Sequence, residues 1–179
     1  GQKISISASA GALLFPKNAD SREGLITKLE HSLEYAKTNR RGDLVFFSVE
    51  IARKHERGLA LREDLNQSIK KDFRGFELFF QPFVNPGTNL IAGCECLLRW
   101  KGEKIKDSYP MEFIKVLEDY GGIREVGFWV MEQAIKQQVA WRDTYGELQV
   151  SFNVSYQQFM DEDFENRLIS YVEKYGVNP

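Results

Sequence analysis

The stretch Ile91-Ala92-Gly93-Cys94-Glu95-Cys96-Leu97-Leu98-Arg99-Trp100 sets one carboxylate and one guanidinium into an otherwise apolar run. Side chains on a strand alternate faces with period two. Glu95, Leu97 and Arg99 therefore share one face, and Cys94, Cys96, Leu98 and Trp100 share the other. A buried charge without a partner is costly, so the polar face needs a counter-ion, a ligand or a salt bridge, unless it simply faces water.

Two further segments have the same character. Phe76-Glu77-Leu78-Phe79-Phe80-Gln81-Pro82-Phe83-Val84 is an apolar strand containing a proline that cannot donate to a ladder. Asn85-Pro86-Gly87-Thr88-Asn89 follows as a tight reversal, so strand, turn and strand read as a β-hairpin. Residues 148–154 alternate cleanly, with Leu148, Val150, Phe152 and Val154 apolar and Gln149, Ser151 and Asn153 polar. Each strand thus offers one apolar face and one face with a few polar groups: Gln81, then Glu95 with Arg99, then Asn153. Together these groups form a candidate site.

These motifs, in this order, resemble the first half of an EAL domain, the cyclic di-GMP phosphodiesterase family. The signature Glu-Ala-Leu stands here as Glu95-Cys96-Leu97, one small residue for another at the middle position. Gln81-Pro82 matches the family's Gln-Pro before the turn, Leu97-Leu98-Arg99-Trp100 its Leu-Leu-Arg-Trp, and Asn153-Val154-Ser155 its Asn-Val/Leu-Ser. Several ordered motifs are far more specific than a lone tripeptide.

The N-terminal part reads separately. Residues 4–15 alternate small and apolar side chains like a strand, closed by Pro16. A helix opens at Asp20-Ser21-Arg22-Glu23, with Leu25, Leu29, Ser32, Leu33 and Ala36 as its apolar stripe, and Gly42-Asp43 stops it ahead of a short strand at 44–47. This strand–helix–strand piece resembles the C-terminal tail of a GGDEF (diguanylate cyclase-type) domain through Ser9-Ala10-Gly11 and Leu33-Glu34-Tyr35-Ala36-Lys37. The tyrosine sits one place late, and Asn39-Arg40-Arg41-Gly42 departs from the usual Gly-Arg-Asn ending. The substrate- and metal-holding loop of such a domain would lie upstream of Gly1, so this piece is not expected to make cyclic di-GMP by itself.

Residues 50–72 are charged and helix-prone, with Leu61, Leu65 and Ile69 at i, i+4 and i+8. So narrow a stripe suits a linker helix that packs lightly on both neighbours or pairs with a second chain. The expected organisation is therefore a GGDEF-like tail at 1–48, a linker helix at 49–73 and the N-terminal half of an EAL domain at 74–179, with a homodimer through the linker helix or the EAL domain as a candidate assembly. After the hairpin, residues 101–109 form a polar loop ending at Pro110, a favoured first helical residue. Helices are expected at 111–120, 123–145 and 164–175, each stopped by glycine. Trp129 and Trp141 read as packing residues. Strands alternating with helices give an α/β class with a parallel sheet or barrel.

Charge and cysteine usage exclude several functions. A formal net charge of -2 predicts no general attraction to nucleic acid or to an anionic membrane. No run reaches the length of a transmembrane helix. Cys94 and Cys96 are the only cysteines; a disulfide between them would strain the strand, and no further cysteine or nearby histidine completes a soft-metal site around them. Buried reduced thiols, and hence a cytoplasmic location, are the expectation, with a membrane or sensor segment left open for a longer parent protein.

The EAL resemblance implies a partial modified (β/α)8 barrel, TIM-like, with its site at the C-terminal ends of the strands. It implies hydrolysis of one phosphodiester bond of cyclic di-GMP to linear pGpG, assisted by Mg²⁺ or Mn²⁺, whose hard character suits oxygen ligands. Carried over residue by residue, Glu95 is the catalytic metal ligand and Asn153 a second ligand. Arg99 holds a phosphate, Gln81 contacts substrate, and Leu97 lies against a guanine or the ligand backbone. The family's remaining carboxylates and its lysine come from strands after Pro179. The chain is accordingly expected to be a piece of a longer protein and inactive alone. The alternative is a non-catalytic cyclic di-GMP receptor or interaction regulator.

Overall fold

The computed structural model describes residues 6–177 and divides into two compact units, residues 1–60 and 61–179. In the first unit, β1 (Ala10–Ala12), α1 (Arg22–Asn39) and β2 (Leu44–Phe46) form a β-α-β unit whose strands pair in parallel, Ala10 opposite Leu44 and Ala12 opposite Phe46. Ser21 caps α1 by accepting the Gly24 N–H at 3.2 Å. A Cβ on Gly11 would collide with the backbone of Leu29 and Leu33, so this glycine lets the helix lie directly on the strand. Because the approach is so close, the side chains buried from α1 are the small Ser32 and Ala36, and Leu29 lies at the exposed edge of the expected stripe.

The expected strand at 4–15 shrinks to Ala10–Ala12, its first two residues lying outside the described ones. Its partner β2 offers only three residues. Beyond them the chain folds back on itself, Asn18 bonding the backbone of Leu14 through both its side chain at 2.8 Å and its amide at 2.7 Å.

α2 (Val49–Lys70) occupies the span expected of the linker. Its packing is not light. Leu61 and Leu65 are buried in the core of the second unit, and Asp64 and Ser68 are buried beside them. That stripe is thus used within the chain and is not open to a second copy. The polar residues are buried because each has a partner. One Asp64 oxygen accepts the backbone N–H groups of Lys104 and Ile105, both at 2.9 Å, and Ser68 accepts the Trp100 indole N–H at 3.0 Å.

The second unit is built on a three-stranded sheet of order β3-β4-β5, formed by β3 (Phe76–Val84), β4 (Ile91–Trp100) and β5 (Gln149–Phe152). β3 and β4 form the expected antiparallel hairpin, while β4 and β5 pair in parallel. Pro82 is accommodated inside β3 because β3 is an edge strand. Asn85 shapes the hairpin turn, its side-chain oxygen accepting from Gly87 N at 2.8 Å and Thr88 N at 3.3 Å. α3 (Pro110–Tyr120), α4 (Ile123–Tyr145), the single turn α5 (Tyr156–Phe159) and α6 (Phe164–Tyr175) complete the unit. The sequence did not single out α5. Phe76, Cys96, Trp100, Phe113, Leu117 and Val126 form the centre of the core on one side of the sheet. Trp129 stacks on Phe73 with centroids 5.4 Å apart, and Trp141 meets Phe80 edge-on at 4.9 Å, the packing roles expected of them. No helix among the described residues is long and apolar enough to cross a membrane.

Candidate functional site

The β4 alternation falls as its composition demands. Cys94, Cys96 and Trp100 are buried on the core face, and Glu95, Leu97 and Arg99 are partly exposed on the other. Burial pushes the Cys96 thiol up to about 11, with the charges of Cys94 and Glu95 adding to the shift, and raises Cys94 for the same first reason. Both cysteines are free thiols.

Register assembles the polar face across the strands. Gln81 of β3 stands directly opposite Glu95, which in turn stands beside Ser151 of β5. Ladder pairing ends at Cys96 with Phe152, so β5 is shorter than the 148–154 expected. The next residue, Asn153, is free of the ladder, and its Nδ2 donates to the Glu95 Oε1 at 2.9 Å. Gln81, Glu95 and Asn153 are thus neighbours on one open face. Leu97 follows on that face, opposite Phe79. Arg99 does not join the carboxylate. It lies four residues on, roughly 13 Å along the strand. There its Nη1 donates to the Leu98 carbonyl at 2.9 Å and its guanidinium sits over the Phe79 ring at 5.6 Å.

A cleft of about 320 Å³ opens at the C-terminal end of β4, walled by Arg99, Ile114, Glu118, Val126, Asn153 and Ser155. Its floor contains a feature the sequence reading passed over. Ser155 and Gln158 form a reciprocal capping box, the Ser155 hydroxyl accepting from Gln158 N at 3.3 Å and the Gln158 Oε1 accepting from Ser155 N at 3.1 Å. The Ser155-Tyr156-Gln157-Gln158 spacing was legible as S-x-x-Q. Gln158 is only 3% exposed, and its carboxamide lies directly over Gly127 of α4. Gln157 donates to the Glu118 carbonyl at 2.9 Å, and Asp161 pairs with Arg124. The backbone N–H of Asp163, and then that guanidinium, hold the Asp161 carboxyl below its ordinary range.

Among the described residues no group of three or more His, Cys, Asp or Glu side chains converges. Glu95 and Asn153 supply two hard oxygen donors of the kind Mg²⁺ and Mn²⁺ select, which fit part of a coordination shell of about six.

Comparison with known proteins is consistent over the second unit. Residues 62–179 match the model of the EAL domain family. The bifunctional diguanylate cyclase/cyclic di-GMP phosphodiesterase MucR of Pseudomonas aeruginosa is 26% identical over 178 residues, covering 99% of this chain and 26% of its own length. The cyclic di-GMP phosphodiesterase PdeR of Escherichia coli is 26% identical over 160 residues, covering 89% of this chain and 24% of its own. The chain therefore spans about a quarter of the length of these curated relatives. Among solved structures, the EAL enzyme Bd1971 in its cAMP-bound form matches with a TM-score of 0.62 and 29% identity over 73% of this chain and 38% of its own. The PaMucR phosphodiesterase in complex with cyclic di-GMP matches with a TM-score of 0.62 and 26% identity over 67% of this chain and 48% of its own. With a family match over well more than half of its residues, on a mixed α/β unit of the same fold, the chain belongs to the EAL domain family.

Proposed function

We propose that this chain is part of a cyclic di-GMP phosphodiesterase that hydrolyses one of the two phosphodiester bonds to give linear pGpG. The observation that carries this reading is the contact of Asn153 with Glu95 on the open sheet face, with Gln81 opposite Glu95 in the ladder. In the proposed site Glu95 is the catalytic metal ligand. The Asn153 carboxamide, beside the Glu95 carboxylate, would offer its oxygen as a second ligand. Glu95 and Asn153 would hold a Mg²⁺ or Mn²⁺ ion, which would supply electrostatic stabilisation of charge developing on the phosphoryl oxygens. Arg99 keeps donors beyond the one it gives Leu98 and grips a substrate phosphate with charge-assisted hydrogen bonds. Gln81 binds substrate across the strand pair, and Leu97 packs on a guanine or the ligand backbone. Water adds to phosphorus, the bond from phosphorus to the ribose oxygen breaks, and that oxygen takes a proton.

Three wider readings belong with this proposal. The sheet and its helices form the first part of a TIM-like barrel, with the open polar face turned to its interior. Residues 1–48 are the tail of a GGDEF domain, residues 49–73 the linker and residues 74–179 the first half of the EAL domain. The alignment with MucR, whose name includes a diguanylate cyclase, supports this because it spans 99% of the chain and so continues upstream of the family match. The site works in a cytoplasmic, reducing setting.

The test is titration of cyclic di-GMP into the full-length protein with Mg²⁺ or Mn²⁺, with product analysis of the same mixture. Conversion to pGpG that falls more than about a hundredfold in Glu95→Ala is the expected result, since even a residue outside the ligand shell commonly costs ten- to a hundredfold. Binding without turnover would make the protein a receptor. Absence of both binding and turnover would refute the reading.

A further inference from the structure

From this geometry we infer that Gln158, seated on Gly127, is the positioning residue that holds the Asn153 carboxamide against Glu95. Asn153 follows the last ladder residue, Phe152, and lies two residues before Ser155, the N-cap of α5, so its backbone direction is set from both ends. Behind it the strand is fixed by pairing with β4. Ahead of it the chain is fixed by the Ser155–Gln158 capping box, in which each residue accepts the other's backbone N–H. The box is in turn seated by Gln158, whose buried carboxamide fills the space that any side chain at position 127 would need.

Gly127 lies inside a 23-residue helix, where alanine is the better helix former. A glycine there is explained by the close approach it permits. Two outlying ties keep the turn from rocking on this seat: Gln157 to the end of α3, and Asp161 to Arg124 in the first turn of α4. Asn153 is itself exposed, and its side chain donates to Glu95. Its orientation is therefore inherited from the turn. The consequence for metal binding rests on the function proposed above, whereas the positioning itself does not.

Gly127→Ala separates the two. It favours the helix while displacing the Gln158 carboxamide. In the metal-free protein, the Asn153 side-chain amide signals, assigned by their loss in Asn153→Ala, are expected to move to the position of a freely solvated carboxamide, with the β5 backbone amides unchanged. The Mn²⁺ concentration for half-maximal hydrolysis of cyclic di-GMP is expected to rise about tenfold, the scale at which residues that orient a ligand act. A lowered folded fraction alone would change the amplitude of activity and not this midpoint. Gln158→Ala and the double variant Gly127→Ala/Gln158→Ala should match each other closely, since the three atoms nearest a methyl group at position 127 all belong to the Gln158 carboxamide.

Asn153 signals that stay in place in Gly127→Ala overturn the inference. Signals that move with an unchanged Mn²⁺ midpoint support the positioning and overturn the ligand role of Asn153 instead. Should Gly127→Ala also shift the β5 backbone amides, Gln158→Ala removes the seat without adding bulk, and the same two readings apply to it.

Discussion

Glu95 sits between two thiols that face the other way, and the contrast sets the chemistry of the strand. Cys94 and Cys96 are buried, and burial moves both thiols up, Cys96 to about 11. At neutral pH they are protonated and poor nucleophiles. Iodoacetamide at pH 8 should leave both unmodified in the native protein and label both in urea, as read by intact mass. The pH dependence follows from the same shift. A group whose pKa is higher when folded contributes stability in full below its unfolded value and loses it as pH climbs through the folded one. For Cys96 that window runs from about 9 to about 11, and Tyr120, pushed up to about 12 chiefly by burial, extends it upward. Urea midpoints should be level with respect to these groups below pH 9 and fall above it. At this scale the sequence was most informative. Period-two alternation alone places Glu95, Leu97 and Arg99 on one face and the cysteines on the other. It was silent on the Asn153–Glu95 bond, which depends on β5 ending at Phe152, two residues before the expected end, and on Gln158, whose polar character hid a buried role.

The elements show where local pattern was outweighed by tertiary partners. The α2 stripe looked narrow because Leu61, Leu65 and Ile69 are its only apolar members at that spacing, and the polar Asp64 and Ser68 beside them do not register in an apolar pattern. They are buried residues whose polar atoms are satisfied by the last residue of β4 and the chain just after it. Asp64→Ala strands two backbone N–H groups and should cost about 2–4 kcal/mol, while Asp64→Asn, keeping an acceptor, should cost about half as much; urea unfolding followed by tryptophan emission measures both. The turn from α2 into β3 is equally demanding. Asp72, Phe73 and Gly75 all have positive φ, and a Cβ at Gly75 would strike the Lys101 carbonyl. Gly75→Ala should therefore lose roughly 2 kcal/mol or more in the same assay, the combined penalty of a left-handed backbone and a blocked approach. Hairpin, helix caps and glycine stops were all legible because their signals are local. The short β1 was not, because its length is set by how little of β2 there is to pair with.

On the scale of the whole molecule, the two compact units meet the family match at nearly the same point: the second begins at Leu61 and the EAL match at residue 62. All three tryptophans, Trp100, Trp129 and Trp141, fall in that second unit. One donates its indole N–H to Ser68 of α2 and another stacks on Phe73 in the turn that follows the helix. The indole emission of this protein is accordingly a private optical channel. The strand–helix–strand unit is dark in it, and the join between α2 and the sheet is bright. A ligand or substitution that loosens that join should shift emission to the red before any helix is lost by circular dichroism, so the chain carries a built-in fluorophore for the attachment of its site-bearing sheet to the helix that leads into it.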